Sequence, residues 1–204
     1  MNHKVNNVKD LYESSLELHD NLVVTGDTSA DAIILNLASG IENLKRNWKG
    51  IDAGLKIQEV ITVHNEMIEV RNKLATLAME ASKVASYYRE IQIKNGAPLE
   101  FYNALTIEAK QALPEYVDNA DTIDINPDAE QGKKNIDEAN TNIEQFSQLV
   151  KAKYDEIMAN WTQGTGRDSA SEAFESFMTN VTRYKKTLSD VSENVGNALK
   201  NYSF

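Results

Sequence analysis

Residues 57–91 read IQEVITVHNEMIEVRNKLATLAMEASKVASYYREI, and this stretch decides the fold. Val60, Val63, Met67, Val70, Leu74, Leu77, Ala81, Val84, Tyr88 and Ile91 follow one another in alternating steps of three and four. Such steps keep side chains on one face of an α-helix, at the period of a left-handed helix-on-helix seam. Ile57, Ile61, Ile68, Ala75 and Ala78 form a second stripe beside the first. A face that wide needs more than one partner helix, so the stretch predicts a bundle and a helix over about 52–93.

On its N-terminal side, Asn47-Trp48-Lys49-Gly50 ends a preceding helix over about 28–46. Ile33/Ile34, Leu37, Ile41, Leu44 and Trp48 make its stripe, and Asp27 or Thr28 is its expected cap. Gly50 supplies the positive φ that a helix stop requires. Residues 4–24 read as a first helix with Val5, Val8, Leu11/Tyr12, Leu16 and His19/Leu22 at helical spacing, broken at Thr25-Gly26-Asp27-Thr28-Ser29. On the C-terminal side, Lys94 to Pro98 stops the long helix. A shorter helix is expected over 98–113 from Phe101, Leu105, Ala109 and Ala112/Leu113, then an acidic irregular connection from Pro114 to Asn126. Asn126-Pro127-Asp128-Ala129-Glu130 is a helix-start signal: Asn caps, Pro suits the first position, and acids favour the positive end of the helix dipole. The helix it opens, about 127–160, carries Ile136, Ile143, Phe146, Val150, Tyr154, Ile157 and Trp161. Gly164-Thr165-Gly166 turns the chain, and Ser169 with Glu172 is a candidate capping box. The last helix runs to about 202 through Phe174, Phe177, Val181, Tyr184, Leu188, Val191, Val195, Ala198 and Tyr202.

The 204 residues include only three prolines and nine glycines, which favours long helices, and no cysteine, which excludes disulfides, thiolate metal sites and cysteine nucleophiles. The net charge of −10 disfavours binding to phosphate backbones and anionic membranes. Six acids and no base fall between Glu115 and Glu130. No stretch is long and apolar enough to span a bilayer, and the start, Met1-Asn2-His3-Lys4, lacks the apolar run of a cleaved secretory signal.

A shift of 113 residues superimposes two halves. Ile33 meets Phe146, Leu37 meets Val150, Ile41 meets Tyr154, Leu44 meets Ile157, Asn47 meets Asn160, and Trp48 meets Trp161. These are the chain's only two tryptophans, and each is followed by a glycine turn, a long helix and a tyrosine about forty residues on, Tyr88 and Tyr202. Each half is a helix–turn–helix hairpin with one apolar face, which a hairpin alone leaves exposed. The fold class expected is therefore all-α: two hairpins packed as an elongated four-helix bundle, with an extra N-terminal helix segment and a short linker helix. The organisation expected is an N-terminal segment 1–27, a first hairpin 28–97, a linker 98–126 and a second hairpin 127–204.

A helix, then Trp-x-Gly, then a second helix resembles the WXG family of small helical proteins associated with type VII secretion. Trp48-Lys49-Gly50 matches the motif, and Trp161-Thr162-Gln163-Gly164 is similar with one extra residue. Family members have about a hundred residues and pair as dimers, so the resemblance implies a tandem fusion: a monomer that mimics such a dimer. It also implies export without a cleaved signal, or residence in the cytoplasm before export. Its implied partners are proteins, either secretion machinery such as a membrane ATPase or a helical effector. Many members carry a C-terminal Tyr-x-x-x-Asp/Glu signal, which no tyrosine here satisfies: Tyr87 precedes Ile91 by four, Tyr88 precedes Gln92, and Tyr202 is two from the end.

Trp48, Gly50, Trp161 and Gly164 are the turn motif and candidate partner contacts, and Tyr202 is the candidate for C-terminal recognition. Packing over the turns explains the tryptophans as well. His3, His19 and His64 lack ligand spacing, and Asp124-Ile125-Asn126-Pro127-Asp128 has three oxygen positions of a calcium loop without its glycine or final glutamate, so no metal is expected. Phosphate-binding and nucleophile-elbow glycine motifs are absent, so neither a cofactor nor catalysis is expected. Arg89, Lys185 and Lys186 read as surface charges, and Phe101/Tyr102 as the cover of a bundle end or a partner contact. The competing reading is a cytosolic helical adaptor or chaperone; a pore-forming toxin lacks the concealed apolar hairpin it needs.

Overall fold

A computed structural model describes residues 3–202. In chain order the elements are β1 (Lys4–Val5), α1 (Val8–Glu17), a π-helical segment (Leu18–Val24), α2 (Ala30–Asn47), β2 (Trp48–Lys49), α3 (Ile51–Lys94), β3 (Asp124–Ile125), α4 (Ala129–Asn160), β4 (Trp161–Gln163) and α5 (Thr165–Tyr202). The fold is all-α, as its apolar periodicity predicts. α2 with α3 and α4 with α5 form the two hairpins, and α2 packs on α4 while α3 packs on α5. Asn47 meets Asn126 where α2 ends and α4 begins, and Asp27 meets Asn142 further along, so α2 and α4 run antiparallel. The stripes of the long helix explain α3: all of Val60, Val63, Met67, Val70, Leu74, Leu77, Ala81, Val84, Ile57, Ile61, Ile68, Ala75 and Ala78 are buried. Most of its circumference is occupied because α1 and α2 cover one side and α5 another, leaving an exposed stripe through Leu55, Thr62, Glu69, Thr76, Lys83 and Glu90.

The first helix differs from its expectation. Lys4 and Val5 are extended, and Asn7 caps α1 by accepting from the Asp10 amide at 3.1 Å. Trp48 lies 44 residues after Lys4, whereas Trp161 lies 37 after Asp124. α1 and α2 together run alongside α4, with Ser14 bonding Glu156 and Glu17 bonding Lys153. The seven extra residues are absorbed by the π-helical segment and the loop to Ser29, whose hydroxyl caps α2 at the Ala32 amide (3.1 Å) in place of Asp27 or Thr28. In the second hairpin α5 begins at Thr165, so Ser169 lies within the helix and receives a hydrogen bond from Lys73 instead of forming a capping box.

The helix expected over 98–113 does not form; the chain there is an extended strap laid along α3. The reason is a ladder of polar side chains on α3 that takes up the strap's backbone groups. The Asn65 amide donates to Leu113 O at 2.8 Å and accepts from Leu113 N at 2.8 Å. The Asn72 amide does the same at Lys110, at 3.0 and 2.9 Å, and the Gln58 Oε1 accepts from Tyr116 N at 2.7 Å. Seven helical residues rise about 10.5 Å and three extended residues about 10 Å, so positions 58, 65 and 72 stay in register with 116, 113 and 110. Arg89 donates to Glu100 O and Pro98 O and stands over the Tyr102 ring at 5.2 Å, which makes it an anchor of the strap and not a surface charge. Tyr102 is buried and stacks on Tyr12 at 4.3 Å, while Phe101 is exposed. A short isolated helix is marginal by itself, and these fixed partners outweigh it. Substituting Asn65→Ala together with Asn72→Ala removes the four hydrogen bonds to the strap and is expected to cost about 2 kcal/mol. Hydrogen exchange at the Lys110 and Leu113 amides checks this: both are expected to lose protection while α4 keeps its own.

His64 lies beside this ladder, 3% exposed, with its Nδ1 2.9 Å from the Asn65 Oδ1. Burial pushes its imidazole below the ordinary 6.5, and the Asn65 contact only partly offsets that. Protons then bind the unfolded chain more readily than the folded one, so stability falls as pH drops through 6.5 towards the folded value. The melting temperature is expected to be lower at pH 5 than at pH 8, with the difference reduced in His64→Gln.

Candidate functional site: the two tryptophan turns

Both tryptophans sit at the bends of their hairpins, and both bends are built alike. Asn47 O accepts from Asn126 N at 2.8 Å, and Asn160 O accepts from Asn6 N at 2.9 Å. Trp48 pairs with Ile125 in β2–β3, and Trp161 pairs with Val5 in β4–β1. Each bend is therefore closed by the strand that leads into the other hairpin's side of the bundle. The matched tyrosines obey the same arrangement. Tyr88, near the end of α3, donates from its hydroxyl to His3 O at the Trp161 bend, while Tyr202, at the end of α5, lines a cleft with Trp48.

The glycines act for different reasons. Gly50 has φ +119° and ψ 164°, a region open essentially to glycine alone. At Gly164 the constraint is space: a Cβ there would stand 2.6 Å from the Trp161 Nε1 and Cζ2 and 2.8 Å from the His3 Nδ1. The extra residue in the second motif fits this geometry, because the Trp161 indole turns back to donate to Gln163 O at 2.8 Å.

The two ends are not equivalent. Trp161 is 1% exposed, closed in by Gly164 and by the His3 ring at 5.9 Å. Trp48 is 5% exposed but forms one wall of an open cleft of about 190 Å³. Gly50, Ala53 of α3, Ile123 and the α5 residues Asn194, Asn197, Asn201 and Tyr202 are among the others that line it. Of the residues singled out from sequence, Trp48, Gly50 and Tyr202 converge here, and Trp161 and Gly164 lie at the opposite end. Asp118 joins the strap to this end: its carboxylate accepts from Gly50 N at 3.2 Å and from Ala120 N at 2.9 Å. Those bonds, Ala120's first, hold it below the usual carboxylate range. The asparagines of α5 drew no notice in the sequence, although their spacing on one helical face was legible there.

A second cleft, about 260 Å³, lies between α3 and α5 and is lined by Glu66, Arg183 and Tyr184 among others. Arg183 binds Glu66 at 2.6 Å, and burial, followed by the bond to Glu66, pushes the Tyr184 phenol far above its ordinary value. Its polar groups are already engaged with each other. The calcium-like residues have structural duties: Asp124 is in β3, and the Asn126 side chain accepts from Asp128 N at 2.9 Å. Lys185 and Lys186 pair with Glu144 and Asp190 at the surface.

The molecule is thus an all-α bundle of two hairpins with a buried tryptophan at each bend. Residues 122–203, from just before β3 to the end of α5, match the family of proteins of 100 residues with WXG, WXG100. The family is associated with type VII secretion. The match covers the half whose motif has the extra residue; the half with Trp48-Lys49-Gly50 lies outside it. No curated protein and no solved structure matches the chain. Among the described residues no helix is long and apolar enough to cross a membrane.

Proposed function

We propose that the chain is a tandem WXG protein of a type VII secretion system, non-enzymatic, acting as an exported substrate, carrier or adaptor. One observation carries this reading: the faces by which two hairpins would pair across chains are packed against each other within one polypeptide, α2 on α4 and α3 on α5. Joining them makes the pairing intramolecular, so the protein is a monomer with the form of a dimer. The domains are then a first hairpin preceded by the helix that completes its length, a strap, and a second hairpin. The Trp48 end, with Gly50 and Tyr202, is the recognition face, because its bend is open whereas the Trp161–Gly164 bend is filled and serves packing.

Deleting the secretion ATPase in the cell that makes the protein tests this. Intact chain of 22.8 kDa is expected in the medium of the parent and in the cells of the deletion strain; for an adaptor, the chain stays inside and is recovered bound to the exported protein. An unchanged distribution with no bound secretion component would contradict the proposal.

A further inference from the structure

The strap shows how this protein holds extended peptide. Asn65 and Asn72, seven apart on α3, each pair both polar edges of their amide with one backbone residue, three residues apart along the strap. Contacts of that kind read backbone and tolerate many side chains. Asn194 and Asn201 are likewise seven apart, on α5, and both line the Trp48 cleft with Asn197 between them. Asn194 is exposed and donates to Asp190 O within its own helix; among the described residues its Oδ1 accepts no hydrogen bond and the Asn201 side-chain amide makes none.

The cleft continues the groove that holds the strap. Asp118 caps Gly50, and Ile123 forms a wall of the cleft, so the strap's last residues end where the cleft begins. The floor, Trp48, Ala53 and Ile123, is apolar, and the volume of about 190 Å³ accommodates one large apolar side chain. Asp52 lines the cleft, Asp118 binds Gly50, Asp124 pairs with Lys49 in β2–β3, and Asp121 lies between Asp118 and Asp124 in the chain. Asp52, Asp121 and Asp124 are exposed and without ion pairs among the described residues, while Asp128 faces another side with Arg46 and Lys134. Lys49, which also lines the cleft, donates its ammonium to the Lys45 carbonyl. Lys49 keeps its charge, but Asp52, Asp118, Asp121 and Asp124 outnumber it, so the opening is acidic on balance.

We propose that the α5 face at the Trp48 cleft binds an extended segment of a protein partner, with Asn194 and Asn201 pairing its backbone three residues apart, one apolar side chain seated over Trp48, and basic residues of the segment facing the aspartates. This rests on the Trp48 end being the recognition face. It names the chemistry of what is recognised: an extended peptide, basic around one large apolar residue.

Two mixtures of capped ten-residue peptides test it against the full chain labelled with ¹⁵N. One carries a central Leu, Ile, Phe or Tyr between Lys and Arg residues; the other has Asp and Glu in their place. The basic mixture is expected to shift the side-chain amides of Asn194 and Asn201 and the Trp48 indole, and to bind roughly tenfold more tightly than the acidic one. Both asparagines are exposed on the helix, so Asn194→Ala with Asn201→Ala is expected to leave the melting temperature unchanged and weaken binding by roughly tenfold or more. Equal binding by the double variant, shifts confined to another face, or no shift with either mixture would overturn the inference. If ATPase-dependent export holds while no peptide binds here, the inference fails and the function stands.

Discussion

Replacing Arg71 with Met is expected to cost about 3 kcal/mol of folding stability, the lower end of the range for breaking a buried ion pair. Arg71 is 3% exposed, yet it holds three parts of the molecule. Its Nε and Nη2 reach the two Asp31 oxygens at 2.8 and 3.2 Å, tying α3 to the first turn of α2, and its Nη1 donates to Glu108 O of the strap. Methionine fills much of the space but, among the described residues, leaves Asp31 with only Lys110, at 4.0 Å, for a counter-charge. Part of the Asp31 side chain reaches water, which keeps the loss from the upper end. Urea unfolding measures the effect. Adding Asp31→Asn to Arg71→Met is expected to recover part of the loss, because the orphaned charge is then gone. A single variant within 1 kcal/mol of the parent would show that the bidentate pair does not hold α2 and the strap to α3.

Trp161→Ala is expected to cost about 3–5 kcal/mol, the range for truncating a buried large aromatic. The Trp161 indole fills the bend, keeps its hydrogen bond to Gln163 O, and is the surface on which Gly164 and His3 close. β1 pairs with β4 at this bend, so the loss extends to the N-terminal strand. Trp48→Ala is expected to cost less, because one side of that indole already faces a cleft. Thermal melts of both variants order the two effects. A larger loss for Trp48 would mean that the Trp48 bend, and not the Trp161 bend, is the closed one.

The helices of the bundle were legible because their apolar positions repeat at helical spacing over many turns, and α3 is the clearest case. Trp48 and Trp161 were legible as bends because each precedes a glycine and they match across a fixed shift. The strap was not. Phe101, Leu105 and Ala109 have helical spacing, and what overrides it lies on another helix: Gln58, Asn65 and Asn72, polar residues at heptad spacing inside a seam otherwise apolar on both sides. That departure from the seam was the available signal. Arg71 and Arg89 were hidden for the same reason, since a charge on a long helix reads as solvated until the backbone it binds is in place. At the site, Trp48, Gly50 and Tyr202 were identified individually. Their convergence depends on the antiparallel docking of the hairpins, which sets the end of α5 against the start of α3.

That docking is most directly tested by a distance. The chain has no cysteine, so Asp52→Cys with Thr162→Cys places spin labels beside the two bends and nowhere else. α4 spans the bundle between them, and its 32 residues correspond to about 48 Å. Electron–electron double resonance is expected to give one population near that value, unchanged when labelled protein is diluted into excess unlabelled protein. A separation of about 20 Å would place both bends at one end, and a distance lost on dilution would place the paired hairpins in different chains; either result contradicts the tandem fold.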